Sequence, residues 1–524
     1  MKWYHIVGVL AIVGAILAGW SWAFSSPLTS SPDDDYHQTS IWCPPPVSES
    51  GCTVEYDDEG SPVGVFVPQI VQAPTCYAFL THESAACTRD LDPDLQVLST
   101  RFDQGDYPGP YYRFMNVFVG TDPTWSILVM RGFNVVLATA LLAAIALVMR
   151  SPGQRILILA TLATVVPLGM FIIASVNPSS WAFTGVTGTW LAVHAALSSR
   201  DSRWRVIVAS LLAVLSATIA AVARADAGAY IVVVTAGIAL VHWRALLRYA
   251  RYVLPPLVII AAIGLWSFLF SGQSGVLGVT TEPGGRSPLD VLFYSLMEFP
   301  GFVAGVFGVN WGLGWLDTRS HALTYVSATI VAGALVITGL RVVRLGKLLG
   351  LLLVFGTLLA LPLFVHQSQL IVIGEGIQPR YLLPLLPAVV GIALIGAAPD
   401  RSVGLSASQT GLVYFMLVAA NSAGLHANIR RYVTGQDVWS FFLGRQAEWW
   451  WDFGPKPLWL WLIGSVSFAL AALALFLVID SRPWVDDAPT VPALPALRRA
   501  RHAPTAGTTG QNDQNQPLAP PGEL

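Results

Sequence analysis

The fold is decided first by residues 4–24, YHIVGVLAIVGAILAGWSWAF, a run that contains no Asp, Glu, Lys or Arg. A helix needs roughly 20 mainly apolar residues to cross the hydrocarbon core of a bilayer, and inside lipid it satisfies its own backbone hydrogen bonds. This run therefore predicts a membrane-spanning helix. About twelve such segments occur, roughly at residues 4–24, 127–149, 156–176, 181–198, 205–223, 227–243, 253–271, 322–340, 348–365, 381–397, 410–427 and 457–480. A weaker, glycine-rich candidate at residues 301–315 is interpreted as an interfacial or re-entrant piece.

The composition also indicates a chain that lies mostly in lipid. Of its 524 residues, 54% are apolar and only 11% are charged, and the mean hydropathy is +0.59. Soluble domains carry about 25% charged residues. We therefore predict an all-α polytopic membrane protein in which residues 1–480 form one transmembrane domain. The net charge of −2 provides no basic surface, which excludes nucleic acid as a partner.

Arginine and lysine residues predict the orientation, because cytoplasmic loops carry an excess of them. With the N-terminus inside, residues 25–126, 272–321 and 428–456 become outer loops. Residues 481–524 are rich in Pro, Ala, Gln and Gly and are predicted to be a disordered cytoplasmic tail. Residues 4–24 are interpreted as an uncleaved anchor in a bacterial cell membrane rather than a signal peptide, because WAFSS is a poor cleavage site. The inner loops then contain Arg150, Arg155, Arg200, Arg203, Arg205, Arg244, Arg248, Arg251, Arg341, Arg344 and Lys347.

All four cysteines lie in the first predicted outer loop. An even number in one loop indicates disulfides and hence an oxidising, non-cytoplasmic compartment, in agreement with the orientation above. Pairing by proximity gives Cys43–Cys52 and Cys76–Cys87, although three connectivities are open. Zinc is the competing interpretation, but no CxxC spacing or neighbouring ligand pair supports it.

The first outer loop opens with the strongest chemical signal, Pro32-Asp-Asp-Asp-Tyr-His37. Three adjacent carboxylates at a membrane face repel one another and the anionic lipid surface, which favours a specific use. Either Asp33 or Asp34 could accept the proton of an attacking hydroxyl while the other holds the acceptor or a cation, and His37 could orient them. The alternative is a solvated acidic turn. A divalent cation (Mg²⁺, Mn²⁺ or Ca²⁺) bound by Asp33 and Asp34 is left open.

This motif resembles the P-D-E-x-x-H first-loop signature of an actinobacterial branch of the C-type glycosyltransferase superfamily. Asp34 stands here in place of the usual Glu. Three further motifs fit that branch, namely SVNPSS at residues 175–180, RAD at residues 224–226 and QPRYLLP at residues 378–384. In the last of these, Pro379 stands where the branch often has Gly. The resemblance therefore touches most of the membrane region.

The resemblance implies an inverting hexosyl- or pentosyltransferase that uses a polyprenyl-phosphate sugar donor and a cell-envelope glycan or lipid acceptor. Such an enzyme serves cell-wall biogenesis at the outer membrane face. It needs one carboxylate base for the acceptor hydroxyl and positive charge for the departing phosphate. The resemblance places Arg380 near the lipid phosphate. Further donor-binding candidates are Gln378, Tyr381, Arg224, Asp226 and Asn177.

Each of these candidates also has a purely structural interpretation. Arg380 could be an interfacial arginine that reaches lipid head groups. Arg224 and Asp226 could pair with each other across a short outer turn. Asn177 could end a helix, because the residue before Pro178 avoids helical geometry.

Other functional classes compete with a glycosyltransferase that uses monophosphate-linked donors. A polysaccharide polymerase or ligase that uses diphosphate-linked donors is expected to have arginine-rich outer loops. A lipid or solute transporter is expected to have ionisable residues or broken helices near the membrane midplane, whereas the predicted spans are nearly free of charge. A non-enzymatic scaffold is the remaining class. The chain has no GxxxxGK[ST], HExxH or GxSxG motif, which disfavours an ATP-driven pump, a zinc protease and a serine hydrolase.

Overall fold

The computed structural model describes residues 3–199, 202–272, 286–375, 377–396 and 405–481. The predicted cytoplasmic tail, apart from Ser481, lies outside these residues, as does part of the predicted second outer loop.

Helices dominate the described chain, which confirms the all-α prediction. Their bounds are α1 (Trp3–Phe24), α2 (Asp34–Trp42), α3 (Gly109–Asn116), α4 (Pro123–Val148), α5 (Ser151–Val165), α6 (Leu168–Ile173), α7 (Ser179–Ser198), α8 (Arg203–Ala221), α9 (Ala225–Val241), α10 (Trp243–Phe270), α11 (Pro288–Ala304), α12 (Ala322–Gly339), α13 (Leu345–Gln369), α14 (Leu386–Leu394), α15 (Ala407–Thr434) and α16 (Pro457–Ser481).

Within the described ranges, nine helices are long and apolar enough to cross a membrane, judged by length and composition. They are α1, α4, α8, α10, α11, α12, α13, α15 and α16, of which all but α11 coincide with predicted spans. The chain is therefore a multi-pass membrane protein.

The other four predicted spans are helical but shorter, more broken or less apolar. The segment 156–176 is divided between α5 and α6, because Pro167 has no N–H to donate and restricts the residue before it. The segment 381–397 begins with two short 3₁₀ turns, Pro379–Tyr381 and Leu383–Leu385, and only then becomes α14. The segment 227–243 corresponds to α9, and 181–198 to α7, whose side chains are buried along almost its whole length.

Helix α11 explains the weak candidate at residues 301–315, whose first residues are the end of this helix. The start of α11 contacts the last turn of α13, and its end contacts the connection that follows α13. At the start, the Pro288 carbonyl accepts a hydrogen bond from Gln367 Nε2 at 2.9 Å. At the end, a Cβ added to Gly305 would lie 2.7 Å from Cγ of Pro379. A helix whose start lies beside the end of α13 and whose end lies beside the following connection favours the interfacial interpretation over a full crossing.

The first predicted outer loop is a small folded unit. Between α2 and α3 it contains a three-stranded antiparallel sheet in the order β1 (Val54–Tyr56), β2 (Pro62–Pro68) and β3 (Gln96–Ser99). The two disulfides are Cys43–Cys52 and Cys76–Cys87, with Cα–Cα distances of 5.8 and 6.2 Å, which confirms the predicted pairing.

The register of this sheet positions Arg101 beside the acidic motif. Strand β3 pairs with β2 in a register that sets Ser99 opposite Val65, and the Ser99 and Thr39 hydroxyls lie 3.2 Å apart, which ties the strand end to α2. Arg101, two residues beyond the strand, therefore lies beside the start of α2.

Close helix packing holds the membrane region together. Helix α7 contacts the three helices α4, α8 and α9. At Gly185, an added Cβ would lie 2.5 Å from the backbone nitrogen of Ala220 in α8. Only a residue without a side chain permits this crossing, as is typical of helix pairs in lipid.

Candidate functional site

The turn before α2 has an unusual backbone conformation. Asp33 adopts the left-handed region, with φ 61° and ψ 19°, which Asp and Asn tolerate better than other residues with a side chain. The Asn177 amide donates to the Pro32 carbonyl at 2.8 Å, and its oxygen accepts from the Ser179 backbone N–H at 2.9 Å. Asn177, predicted to bind donor, therefore has both ends of its amide engaged within the chain and positions the Asp33 turn.

A buried arginine in α4 supports the same turn. Arg131 is 1% exposed and donates to the carbonyls of Ala23, Ser26 and Pro27 at 2.6–2.9 Å and to the Ser30 hydroxyl at 3.3 Å. Carbonyls at the C-terminal end of a helix such as α1 carry partial negative charge, which stabilises a cation there. The prediction that the spans are nearly free of charge overlooked this residue.

Asp33 lies between two arginines that are distant in sequence. Arg380 Nη2 donates to Asp33 Oδ2 at 2.8 Å, and Arg101 Nη2 donates to Asp33 Oδ1 at 3.0 Å. Arg101 Nη1 also donates to both oxygens of Asp35, at 2.8 and 3.0 Å. The Arg380 side chain is 5% exposed and that of Asp33 is 39% exposed, so this ion pair spans the boundary between the interior and solvent.

The two arginines decide the protonation of Asp33. Burial by itself would raise its pKa, but the charge of Arg380 and the hydrogen bonds from Arg380 and Arg101 outweigh that effect and lower the pKa to about 2. Asp33 is therefore a carboxylate at neutral pH and, in this ion-paired state, a very weak base.

Asp34 has a different environment from its neighbour. Its side chain is fully buried, and Oδ2 accepts from the Ser31 backbone N–H at 3.0 Å and from Gln38 Nε2 at 3.4 Å. Its Oδ1 has no hydrogen-bond partner among the described residues. Burial raises the pKa of Asp34 to about 7, although the charge of Arg131 opposes this change. Asp34 faces the interior and not the two arginines that hold Asp33.

His37 lies on the same helix, inside a cage of tyrosines. Its Nδ1 is 2.9 Å from the Tyr112 hydroxyl, and its ring packs against those of Tyr36 and Tyr107 with centroids 5.4 and 5.1 Å apart. Burial lowers the pKa of His37 to about 3, so the imidazole is neutral at physiological pH. His37 supports the acidic turn through this packing and through its backbone N–H, which donates to the Asp33 carbonyl at 2.9 Å.

Arg224 and Asp226 pair with each other, as in the structural alternative that the sequence left open. The guanidinium donates to both carboxylate oxygens at 2.9 and 3.0 Å. The same guanidinium lies over the ring of Tyr381, 4.7 Å from its centroid, and 5.8 Å from that of Tyr107. Because Tyr381 also accepts from Arg380 at 3.1 Å, this pair is joined to the Asp33 cluster.

A small cavity of about 20 Å³, partly open to solvent, adjoins Arg380. Its walls are mainly apolar and are formed by Pro32, Leu168, Phe171, Gly305, Val306, Gly308, Trp311, Gly312, Leu313, Gly314, Leu316, Gln378, Pro379 and Arg380. In the part of the chain that the structure describes, Arg380 Nε and Nη1 and the Gln378 side-chain oxygen are buried without a hydrogen-bond partner. Apolar walls beside unpaired guanidinium donors match the chemistry of a ligand that has both an anionic group and an apolar portion.

A divalent cation held by Asp33 and Asp34 does not fit these contacts. Both oxygens of Asp33 already accept from arginines, and Asp34 faces Ser31 and Gln38 on the buried side. Mg²⁺ and Ca²⁺ require several oxygen ligands around one point. Across the described ranges, no group of three or more His, Cys, Asp or Glu residues is arranged to hold a metal. We therefore assign no metal-dependent step to these residues.

Sequence reasoning missed two residues of this cluster, Arg101 and Arg131. Arg131 carried a usable signal, because a charge inside a predicted span is expensive and therefore often functional. Arg101 carried none, since it is one of several charged residues in a long polar loop and only the sheet register brings it to Asp33.

A family model whose description is a predicted membrane protein matches residues 16–389, which is most of the chain. The matched range includes Asp33, Arg101, Arg224 and Arg380. Among curated proteins, none matches the chain.

Proposed function

The chain belongs to the DUF2142 family of predicted membrane proteins, and we propose that it is an inverting glycosyltransferase. In this proposal a polyprenyl monophosphate delivers the sugar, and a cell-envelope glycan or lipid receives it. Arg380 binds the phosphate and Asp33 accepts the proton of the attacking hydroxyl. The reaction takes place at the face that carries the disulfide-bonded loop, because disulfides form outside the cytoplasm.

The observation that carries this proposal is the Asp33–Arg380 ion pair, whose arginine lines the apolar cavity. The oxygen and nitrogen atoms are 2.8 Å apart, although the residues are separated by 347 positions. A transferase for lipid-linked sugars needs these three elements together: a carboxylate, a cation for phosphate and an apolar surface for the carrier.

The chemistry requires little from the protein besides these groups. The acceptor oxygen attacks the anomeric carbon, and the bond between that carbon and the phosphate oxygen breaks with inversion. The electron pair leaves with the phosphate, whose growing charge is stabilised by the guanidinium of Arg380. The hydroxyl proton passes to the carboxylate of Asp33.

Asp33 suits the role of base better than Asp34. The Asp33 side chain is 39% exposed, whereas Asp34 is fully buried and bonded to Ser31 and Gln38. A general base must come within hydrogen-bond distance of the proton that it accepts. Asp34 instead stabilises the turn.

The hydrogen-bonding of the arginines favours a monophosphate carrier over a diphosphate. Arg224 is bound in bidentate fashion by Asp226, and Arg101 is held by Asp33 and Asp35. Arg380 is the cation of this cluster whose Nε and Nη1 lack partners within the described residues. One guanidinium with donors that lack partners matches one phosphate group.

The direct test is a transfer assay on purified full-length protein in lipid nanodiscs, with a panel of polyprenyl-phosphate hexoses and pentoses and cell-envelope extracts as acceptors. We expect Arg380→Ala to reduce turnover about 100- to 1,000-fold, as does loss of a group that stabilises developing charge. Asp33→Asn should reduce it at least about 100-fold, through loss of the base.

Arg89→Ala is the matched control. Arg89 forms an exposed ion pair with Asp452 at 2.9 Å and takes no part in the cluster, so this variant should retain wild-type turnover. Full activity of both Arg380→Ala and Asp33→Asn would exclude the proposed mechanism.

A further inference from the structure

Asp33 occupies the part of Arg380 that a phosphate would use. Arg380 Nη2 carries two N–H groups, and it donates to Asp33 Oδ2 at 2.8 Å and to the Tyr381 hydroxyl at 3.1 Å. A guanidinium binds an oxyanion in bidentate fashion through Nη1 and Nη2 or through Nε and Nη2. Both edges include Nη2. The free atoms Nε and Nη1 therefore complete a bidentate site only when one of the present partners leaves.

The charges indicate which partner leaves. A phosphate on Arg380 would stand beside the carboxylate of Asp33, and two anions at this distance repel each other. The neutral Tyr381 hydroxyl suffers no such repulsion. Asp33 also has an alternative partner, because Arg101 Nη2 already donates to its other oxygen at 3.0 Å.

We propose that Asp33 is a resident counter-ion of Arg380, that the phosphate of the lipid carrier displaces it, and that this displacement frees the carboxylate for the acceptor hydroxyl. The inference rests on the proposed function and adds an order of events to it. The base becomes available only after the donor phosphate has bound.

The acidity of Asp33 agrees with this order. While Arg380 and Arg101 hold it, its pKa is about 2, too low for an effective base. A phosphate that neutralises Arg380 removes the largest of the effects that lower this pKa. The bound donor therefore makes Asp33 more basic at the moment when a base is needed.

Binding of undecaprenyl monophosphate to full-length protein in nanodiscs tests the inference without turnover. If Asp33 competes with phosphate, Asp33→Asn should bind this lipid about tenfold more tightly than wild type, the usual size of a charged hydrogen bond at a partly buried site. Asn retains the preference for φ 61°, and Asp33→Gly, which also permits it, should show the same gain. Arg380→Ala should lose binding.

Asp452→Asn is the matched control, because it removes one negative charge from an exposed ion pair with Arg89 and should leave the affinity unchanged. Inorganic phosphate and phosphatidylglycerol, added separately as competitors, distinguish a phosphate site from a site for the lipid-linked group. Effective competition by either at equal concentration would contradict a site selective for the carrier.

Unchanged or weaker binding by Asp33→Asn would overturn the displacement inference, since the carboxylate would then assist the anion. That result leaves the transferase proposal intact. Failure of the wild-type protein to bind undecaprenyl monophosphate or any sugar-loaded form of it would instead remove the transferase proposal.

Discussion

In the described part of the chain, two ion pairs between an aspartate and a buried arginine join distant segments, and they differ in which guanidinium donors they leave without a partner. Asp33–Arg380 has an O–N distance of 2.8 Å and Asp317–Arg431 one of 2.7 Å. The Asp33 side chain is 39% exposed, whereas that of Asp317 is 4% exposed. The Nη atoms of Arg431 also donate to the carbonyls of Tyr77, Leu80 and Glu83. Among the described residues, Arg431 leaves only its Nε without a partner, whereas Arg380 leaves both Nε and Nη1 without one, beside a cavity.

This difference distinguishes a structural ion pair from a binding site. We call the Asp317–Arg431 pair the brace. Arg431 attaches the Cys76–Cys87 loop to Asp317, which directly follows the cavity-lining residue Leu316. Its hydrogen bonds stabilise one arrangement of three segments. Arg380 has the same side chain and the same kind of partner, but its remaining donors can bind a ligand. Identical pair chemistry therefore does not indicate identical function.

The largest expected effect is on the brace. Arg431→Ala should lower the free energy of unfolding by about 3–5 kcal/mol, because it leaves Asp317 as a buried charge without its partner. Thermal unfolding of the purified protein in detergent measures this loss.

Arg380→Ala is the comparison variant for the brace. It should lower the free energy of unfolding by only about 1 kcal/mol, because Asp33 keeps Arg101 and is partly solvated. Equal destabilisation by the two variants would break the distinction between brace and binding site.

The second-largest expected effect concerns the Cys76–Cys87 disulfide, whose loop contacts Arg431 of the brace. The sequence separation of 11 residues predicts that Cys76→Ser/Cys87→Ser lowers the free energy of unfolding by about 3 kcal/mol. The loop between these cysteines supplies the three carbonyls for Arg431. The loss caused by Arg431→Ala should therefore be smaller when this disulfide is absent, as measured in a double-mutant cycle.

Cys43→Ser/Cys52→Ser is the matched control, with a separation of 9 residues and no contact with Arg431 among the described hydrogen bonds. Its effect and that of Arg431→Ala should be additive. Coupling of the same size for both disulfides would show that the brace does not depend on the Cys76–Cys87 loop.

The smallest expected effect is on the pH dependence of stability, to which His37 and Asp34 contribute with opposite signs. The pKa of His37 is about 3 in the folded chain against an ordinary value of 6.5, so a fall in pH protonates the unfolded chain and favours unfolding. The pKa of Asp34 is about 7 against an ordinary value of 3.8, so the folded chain takes up the proton and a fall in pH favours folding. Between about pH 7 and 5.5 each residue contributes about 1–2 kcal/mol, with opposite signs.

Single variants should expose these two contributions. Relative to wild type, His37→Gln should become more stable as the pH falls from about 7 to 5.5, and Asp34→Asn should become less stable. Unfolding midpoints at several pH values measure both slopes. Parallel slopes in the wild type and both variants would contradict the buried environments assigned to these residues.

Local properties of the sequence were enough to predict most of the fold. Apolar runs of sufficient length gave the long helices, and proximity within one loop gave both disulfides. The errors have local causes too. Pro167 divided one predicted span, and prolines at 379, 384 and 387 replaced the start of another with 3₁₀ turns. The long helix α11 was missed because Asp290, Glu298 and Pro300 interrupt its apolar sequence.

For the acidic motif, too, the local sequence determined some properties and the tertiary structure determined others. Residue types and motif positions were sufficient to name Asp33, Asp34 and Arg380 as candidates and to expect a membrane protein with an extracytoplasmic, disulfide-bonded loop. They could not say that Asp33 faces two arginines while Asp34 is buried, or that Arg101 joins the cluster. Ion pairing and burial depend on distances through space between segments hundreds of residues apart, and those distances exist only once the helices have packed.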